Sequence, residues 1–283
     1  MVTIPKTSLS VYPLCLGGNV FGWSADAAQS FEVLDAFASH GGNFIDTADV
    51  YSAWIEGNVG GESETIIGSW MKSRKNRDST VIATKVSKLP TRPGLSAKNI
   101  IAAADDSLRR LQTDHIDIYY AHDDDQSVPL GETLEAFTQL VEAGKVSYIA
   151  SSNYSPERLS EALAVSAANG FASYIGAQNR YNLLDRNEYE SGMVAVIADN
   201  DLSLLPFYGL ARGFLTGKYQ PGVEIKSVRS GGVVEYQNDR GWAAVKAVGE
   251  IAKDRSTTNS AVALAWLRAQ PTVSVPIASA RTV

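Results

Sequence analysis

What narrows the fold most is an alternation of short β-type runs with longer amphipathic ones, repeated along the chain. Eight runs are short, apolar and rich in Val, Ile, Tyr and Phe: Pro13–Leu16, Asn43–Asp46, Thr80–Thr84, Ile116–Ala121, Val146–Ala150, Ser173–Ala177, Leu202–Pro206 and Val273–Pro276. Strands of a parallel sheet read this way because helices cover both faces. The stretches between them carry helix signals. Ala28–His40 meets Gly41-Gly42, and Gly131–Ala143 stops at Gly144. Glu62–Ser73 opens with acidic residues, which suit the positive end of a helix. Ser96 begins a helix to Leu111, and Pro156 takes a first-turn position in a helix to Ala168. Glu188–Asp199, Gly241–Lys253 and Asn259–Ala269 complete the set.

Eight strands, all but the last followed by a helix, predict one α/β domain over residues 1–283, a (β/α)8 TIM barrel. A doubly wound sheet is the alternative, but it wants G-x-G-x-x-G after the first strand, and Leu16-Gly17-Gly18-Asn19-Val20-Phe21-Gly22 does not match. Tyr219–Asp239 is too long for a bare connector and reads as a lid or binding loop.

Composition limits the partners. Lys and Arg total 25 against 31 Asp and Glu, a net charge of −6, which disfavours nucleic acid or an anionic membrane surface. The single cysteine, Cys15, leaves no disulfide framework or Cys-rich metal site. No apolar run reaches membrane-spanning length, and the amino terminus makes a poor signal peptide, so the expectation is a cytoplasmic protein. The residues do not specify an oligomeric state.

In a parallel barrel the working residues sit at the carboxyl ends of the strands. Those ends carry Asp46 with Tyr51 five residues on, then Lys85, His122, Ser151-Ser152-Asn153, Gln178 and Phe207-Tyr208. Each alone has an ordinary reading. Lys85 is a solvated cap, Asp46 a turn cap, and Tyr51 a surface aromatic. Together they meet one chemical need. A carbonyl that receives a hydride must also receive a proton, and Tyr is a weak acid with a pKa of about 10. An ammonium about 4 Å away, at an effective dielectric of about 20, is worth about 4 kcal/mol before desolvation. The expectation is therefore that Lys85 lowers the Tyr51 pKa by roughly three units. Asp46 would keep Lys85 charged and aimed, and a neutral His122 would hydrogen-bond the carbonyl oxygen.

The chain resembles the aldo-keto reductases along essentially its whole length. The resemblance rests on Gly42-Asn43-Phe44-Ile45-Asp46-Thr47-Ala48-Asp49-Val50-Tyr51, Ala83-Thr84-Lys85, His122, Ala143-Gly144-Lys145-Val146, Ser152-Asn153-Tyr154, Gln178–Leu184 and Leu210–Tyr219. It implies a catalytic tetrad of Asp46, Tyr51, Lys85 and His122, and NADPH bound across the barrel mouth without a Rossmann motif. It places Gly17, Gly18 and Asn19 near the cofactor, and Ser152, Asn153 and Gln178 at the nicotinamide carboxamide. An amide needs one donor and one acceptor, and Asn and Gln provide both. Phe207 stands where the family usually stacks a Tyr under the nicotinamide. Tyr208, Leu210, Arg212 and Gly213 fall on the pyrophosphate loop, and Ser279 and Arg281 at the adenosine 2′-phosphate. Arg suits a phosphate, so NADP is favoured over NAD.

Three departures stand out. Tyr208-Gly209 replaces a common Ser-Pro, Ala278 stands where many relatives carry Lys, and the chain ends at Val283, just past strand eight. The resemblance therefore implies a last helix and a substrate-covering tail beyond this sequence. The substrate is read as a small-molecule carbonyl or alcohol, with Trp23 and Trp54 beside Tyr51 as an aromatic wall and His122 at its polar end. Asp123-Asp124-Asp125 reads as a solvated loop rather than a metal site. Trp70, Trp242 and Trp266 read as core, His40 and His115 as structural, and Gly60-Gly61 as a turn. Two rival readings are an NADPH-sensing module like potassium-channel β subunits and a Schiff-base lyase using Lys85. The second needs a depressed Lys pKa, which Asp46 opposes.

Overall fold

The computed structural model describes every residue except 224 and 226–229. An antiparallel hairpin, β1 (Val2–Thr3) and β2 (Ser10–Val11), precedes the barrel. The barrel strands are β3 (Cys15–Gly17), β4 (Phe44–Asp46), β5 (Val81–Val86), β6 (Ile116–Ala121), β7 (Val146–Ser152), β8 (Tyr174–Gln178), β9 (Ser203–Leu204) and β10 (Ile277–Ala278). The helices between them are α1 (Ala27–Ser39), α2 (Glu62–Arg74), α3 (Ala97–Leu111), α4 (Leu130–Glu142), α5 (Pro156–Asn169) and α6 (Val194–Asp199), with α7 (Asp239–Asp254) and α8 (Asn259–Arg268) before β10.

All pairings in the eight-stranded sheet are parallel, in the order β10-β3-β4-β5-β6-β7-β8-β9. The sheet closes because the segment before β10 also bonds to β9. Leu204 N–H donates to the Thr272 carbonyl at 2.9 Å, Ser274 N–H to Leu204 at 3.1 Å and Ile277 N–H to Pro206 at 3.0 Å. This corrects the expected eighth strand. Val273 bridges Leu204, but parallel pairing with Cys15 and Leu16 begins only at Ile277. The extended run is therefore longer than its apolar stretch, and Pro276, which has no N–H to give, sits inside it.

Two other elements depart from the sequence pattern. The amino-terminal hairpin was not visible, since two-residue strands carry no period; Ile4 and Val11 fix it by burying their side chains. The expected helix Glu188–Asp199 opens with a π turn, Tyr189–Met193, before α6. In the expected loop Tyr219–Asp239, Ser230–Tyr236 forms a 3-10 helix, and residues 224 and 226–229 lie outside the described residues.

Helix boundaries follow the caps. Asp26 and Gln29 form a reciprocal capping box on α1, while Ser96 and Ser155 accept first-turn N–H groups of α3 and α5. Two layers of core result. Cys15, Phe44, Val81, Ala83, Ile118, Tyr120, Ala150, Leu205, Val275 and Ile277 fill the barrel with Ile4 and Val11, and a larger cluster packs the helices onto the strands. Trp70 is buried in that cluster, and Trp266 packs against it. Trp242 packs beside Phe214 in a third cluster. No helix among the described residues is long and apolar enough to cross a membrane.

Candidate active site

The period of two along a strand turns the apolar barrel filling into a polar floor at the carboxyl end. Phe44 is followed by Asp46, Val81 and Ala83 by Lys85, and Ile118 and Tyr120 by His122. Lys85 is fully buried and its Nζ is held from three sides. It donates to Asp46 Oδ2 at 2.7 Å, to the Thr47 carbonyl at 2.6 Å and to Tyr51 Oη at 2.9 Å. Tyr51 Oη also lies 3.3 Å from Asp46 Oδ2, and Gln178 Nε2 donates to Asp46 Oδ1 at 2.8 Å. The His122 ring faces the Tyr51 ring at 6.0 Å between centroids.

Charge states follow from burial. Burial pushes the Lys85 pKa down, opposed chiefly by Asp46. Burial holds His122 well below its usual value, with Lys85 and Lys88 acting in the same direction, so the imidazole is neutral. Its Nδ1 is buried without a hydrogen-bond partner. Tyr51 departs from expectation. Burial, then the Asp46 charge, raise its pKa well above the usual phenol value. The Lys85 ammonium sits 2.9 Å from the phenol oxygen, but Asp46, 3.3 Å from that oxygen and 2.7 Å from the ammonium, offsets it. At rest Tyr51 is a protonated phenol.

Asn153, in a left-handed conformation at φ 58°, spends both amide hydrogens inside the protein, on the His122 carbonyl at 2.9 Å and Ser152 Oγ at 3.1 Å. Ser152 Oγ donates to the Gln178 carbonyl at 2.8 Å. Asn153 and Gln178 were expected to offer a ligand both a donor and an acceptor. Instead Asn153 keeps only its side-chain oxygen free for a ligand, and Gln178 commits a hydrogen to Asp46.

Gly17 pairs with Asp46 across the sheet. A Cβ on Gly17 would stand 2.6 Å from Ser279 Oγ, which donates to Asn19 Oδ1 at 2.6 Å. A Cβ on Gly18 would stand 2.8 Å from Ser63 Oγ and 3.1 Å from the Asp46 carbonyl. The structure thus gathers Gly17, Gly18, Asn19 and Ser279 beside the floor, while Arg281 is exposed. Trp23 and Trp54 meet edge to face at 5.6 Å, and Trp54 meets Tyr51 at 6.2 Å, so the three rings stand in contact in sequence.

Phe207 and Tyr208 touch at 5.0 Å between ring centroids. Tyr208, Ala211, Arg212 and Gly213 all have positive φ, which folds the loop after Phe207 tightly, and Gly213 N–H closes onto the Leu210 carbonyl at 2.9 Å. The Arg212 guanidinium lies 4.7 Å from the Tyr208 ring and that of Arg180 lies 5.7 Å from it. Arg212 Nε is buried with no hydrogen bond and approaches Glu235 only to 3.7 Å. Acceptor oxygens beside the floor and an under-used guanidinium on the adjoining loop suit the amide and pyrophosphate ends of a nicotinamide dinucleotide.

Sequence reasoning missed Arg180 and the Thr47 carbonyl. Arg180 stands two residues after Gln178, a signal that was available; Thr47 acts through its backbone and leaves none. Asp123, Asp124 and Asp125 are spent on Lys88, Arg158 and the Leu95 and Ser127 amides. His115 and His40 bond locally, to Asp114 and the Ala36 carbonyl.

Residues 13–283 match the model of the aldo/keto reductase family. Over 98% of its length the chain is 33% identical to an uncharacterized oxidoreductase of Bacillus subtilis, YrpG, covering 86% of that protein. It is 35% identical to norsolorinic acid reductase B of Dothistroma septosporum over 74% of this chain and 56% of that one. It is 30% identical to a probable voltage-gated potassium channel subunit beta of Arabidopsis thaliana, over 97% of this chain and 85% of that one.

Proposed function

This chain belongs to the aldo/keto reductase family and is an NAD(P)H-dependent oxidoreductase, and on that premise we propose that it reduces an aldehyde or ketone with NADPH, using Tyr51 as proton donor. The observation that carries the reading is the buried Lys85 Nζ, bonded at once to Asp46 and to the Tyr51 phenol. Asp46, Tyr51, Lys85 and His122 form the catalytic set. A bound NADPH supplies the hydride; the rest of the chemistry falls to the protein.

The substrate carbonyl oxygen sits between Tyr51 Oη and the neutral His122 ring, which hydrogen-bonds it without competing for its proton. As negative charge grows on that oxygen, the Tyr51 proton moves to it, and the phenolate left behind accepts from Lys85. Asp46 keeps Lys85 charged and aimed throughout. Gly17, Gly18, Asn19, Ser152, Asn153, Gln178, Phe207, Tyr208, Leu210, Arg212, Gly213, Ser279 and Arg281 form the dinucleotide site, with Arg281 drawing the 2′-phosphate. Trp23 and Trp54 favour a flat aryl carbonyl, and one relative is described as a norsolorinic acid reductase.

A second reading, a nucleotide-sensing module with little turnover, is favoured by the relative described as a potassium channel subunit. One experiment separates the two. Fluorescence titration with NADPH and NADH is followed by absorbance of the reduced nicotinamide with a panel of aldehydes. Carbonyl-dependent oxidation supports the reductase. Tight binding with slow cofactor release and no turnover supports the sensor, and absence of binding refutes both.

A further inference from the structure

Asp49 is among the buried ionisable groups that the candidate mechanism leaves unused. Asp49 lies between Asp46 and Tyr51 and is fully buried, and neither of its carboxyl oxygens has a hydrogen-bond partner in the protein. Its backbone belongs to the site. Thr47 N–H donates to the Ala83 carbonyl at 2.8 Å, Asp49 N–H donates to the Lys85 carbonyl at 3.2 Å, and Lys85 Nζ returns a bond to the Thr47 carbonyl. The segment that carries Tyr51 is stitched to the strand that carries Lys85, with Asp49 at the stitch.

The charged groups around Asp49 come from each neighbouring element. They are Glu64 on α2, Arg110 on α3, Arg92 before α3, Lys85 on β5 and the Tyr119 hydroxyl on β6. Both arginines are already committed. Arg110 Nε donates to the buried Glu64 at 2.6 Å, and Arg92 pairs with Asp106 at 2.8 Å. Glu64 is further held by Thr84 Oγ1 at 2.5 Å, and its carboxylate acts on Asp49. The Tyr119 hydroxyl is itself buried without a partner. A carboxylate here would have no dedicated counter-ion, and burial followed by the Glu64 charge pushes its pKa up to about 7.

Resting on the reductase reading above, we propose that Asp49 is a positioning residue that works as a neutral acid, and that its ionisation damps proton donation by Tyr51 through Lys85. The sign is fixed by the geometry. A negative charge on Asp49 stabilises the Lys85 ammonium and opposes its field at the phenol oxygen, so the emerging phenolate is less favoured and reduction slows. The limb falls with rising pH. Asp49→Asn tells this limb from one set by Tyr51, because the substitution leaves the phenol in place.

The test is single-turnover reduction of 4-nitrobenzaldehyde by the NADPH-loaded full chain from pH 5.5 to 8.5. The wild type is expected to slow by about threefold to tenfold across neutrality, the size of a through-space unit-charge effect at an effective dielectric of about 20–40. Asp49→Asn is expected to hold its rate level over that range, and Glu64→Gln to move the limb to lower pH. A limb that survives unchanged in both variants overturns the proposal, as does a wild type with none. A second arm needs no turnover. Urea unfolding midpoints of wild type and Asp49→Asn should diverge between pH 5 and 8, in favour of the variant. A wild type that turns over no carbonyl refutes the reductase reading, and parallel midpoints refute the buried proton, so the two failures are distinct.

Discussion

Asp46→Asn tests the tetrad most directly. Asp46 Oδ2 takes the Lys85 ammonium and Oδ1 takes the Gln178 amide. An asparagine has one acceptor, so its NH2 must face one of those two donors. Lys85 is completely buried and would lose its only ion-pair partner among the described residues. Breaking a buried pair from one side typically costs about 3–5 kcal/mol. There is a ceiling, because Lys85 can instead give up its proton. At pH 7 that costs about 4.6 kcal/mol relative to an unfolded lysine with a pKa of about 10.4. At pH 9 the same step costs about 1.9 kcal/mol. The sign follows from linkage. The variant's unfolded state binds more protons than its folded state, so stability rises with pH. The deficit against wild type, measured by urea unfolding, should therefore be about 3–5 kcal/mol at pH 7 and about 2 kcal/mol at pH 9. Carbonyl reduction should fall at both pH values. A deficit below about 1 kcal/mol, or one that does not shrink with pH, would refute the assignment of Asp46 as the counter-ion of Lys85.

Other substitutions probe separate parts of the site. Tyr51→Phe should lower turnover by about 10²–10⁴-fold, the usual share of general acid catalysis, while NADPH still quenches the protein's fluorescence with near wild-type affinity. Gly17→Ala should weaken NADPH binding, since its Cβ would stand 2.6 Å from Ser279 Oγ and must break the Ser279–Asn19 bond; calorimetry would read it. Trp54→Ala, at a residue 49% exposed, should leave the unfolding midpoint within error and raise KM for aryl aldehydes more than for short aliphatic ones. Arg281→Ala should cut NADPH affinity by about tenfold, the value of roughly one charge-assisted contact, and leave NADH affinity unchanged in parallel titrations.

The parts legible in the sequence were those with a period or a covalent constraint. Strand interiors such as Ile116–Ala121 matched residue for residue, because a run buried on both faces has no other stable reading. Ser155-Pro156 marked a helix start through local chemistry alone. Strand eight slipped because its carboxyl half, Ile277–Ala278, is set by pairing to Cys15 and Leu16, more than 250 residues away. At the site, residue types at strand ends sufficed to nominate Asp46, Lys85 and Gln178. What they could not convey was orientation. The Asn153 amide looked free in the sequence, but its left-handed backbone turns both hydrogens onto His122 and Ser152. The burial of Asp49 was equally hidden, since an Asp in a polar loop reads as solvated until α2 and α3 close over it.

The raised pKa of Tyr51 sharpens the electrostatic argument. A phenol already lowered by its ammonium neighbour would be partly ionised near neutrality, and only its protonated fraction could donate. Burial and Asp46 prevent this by keeping the proton on Tyr51 until a stronger base appears. In the proposed reduction that base is the alkoxide developing on the substrate oxygen, formed only as hydride arrives. Once the proton has left, the balance around Lys85 changes, because its Nζ then faces two anions, Asp46 at 2.7 Å and the phenolate at 2.9 Å. The attraction is strongest at that moment, and the apolar filling of Phe44, Ala83 and Ile118 beneath keeps the local dielectric low. Lys85 therefore does little to the resting acid and most of its work on the charge that follows. On the proposed mechanism this arrangement would favour the transition state over the ground state, as catalysis requires.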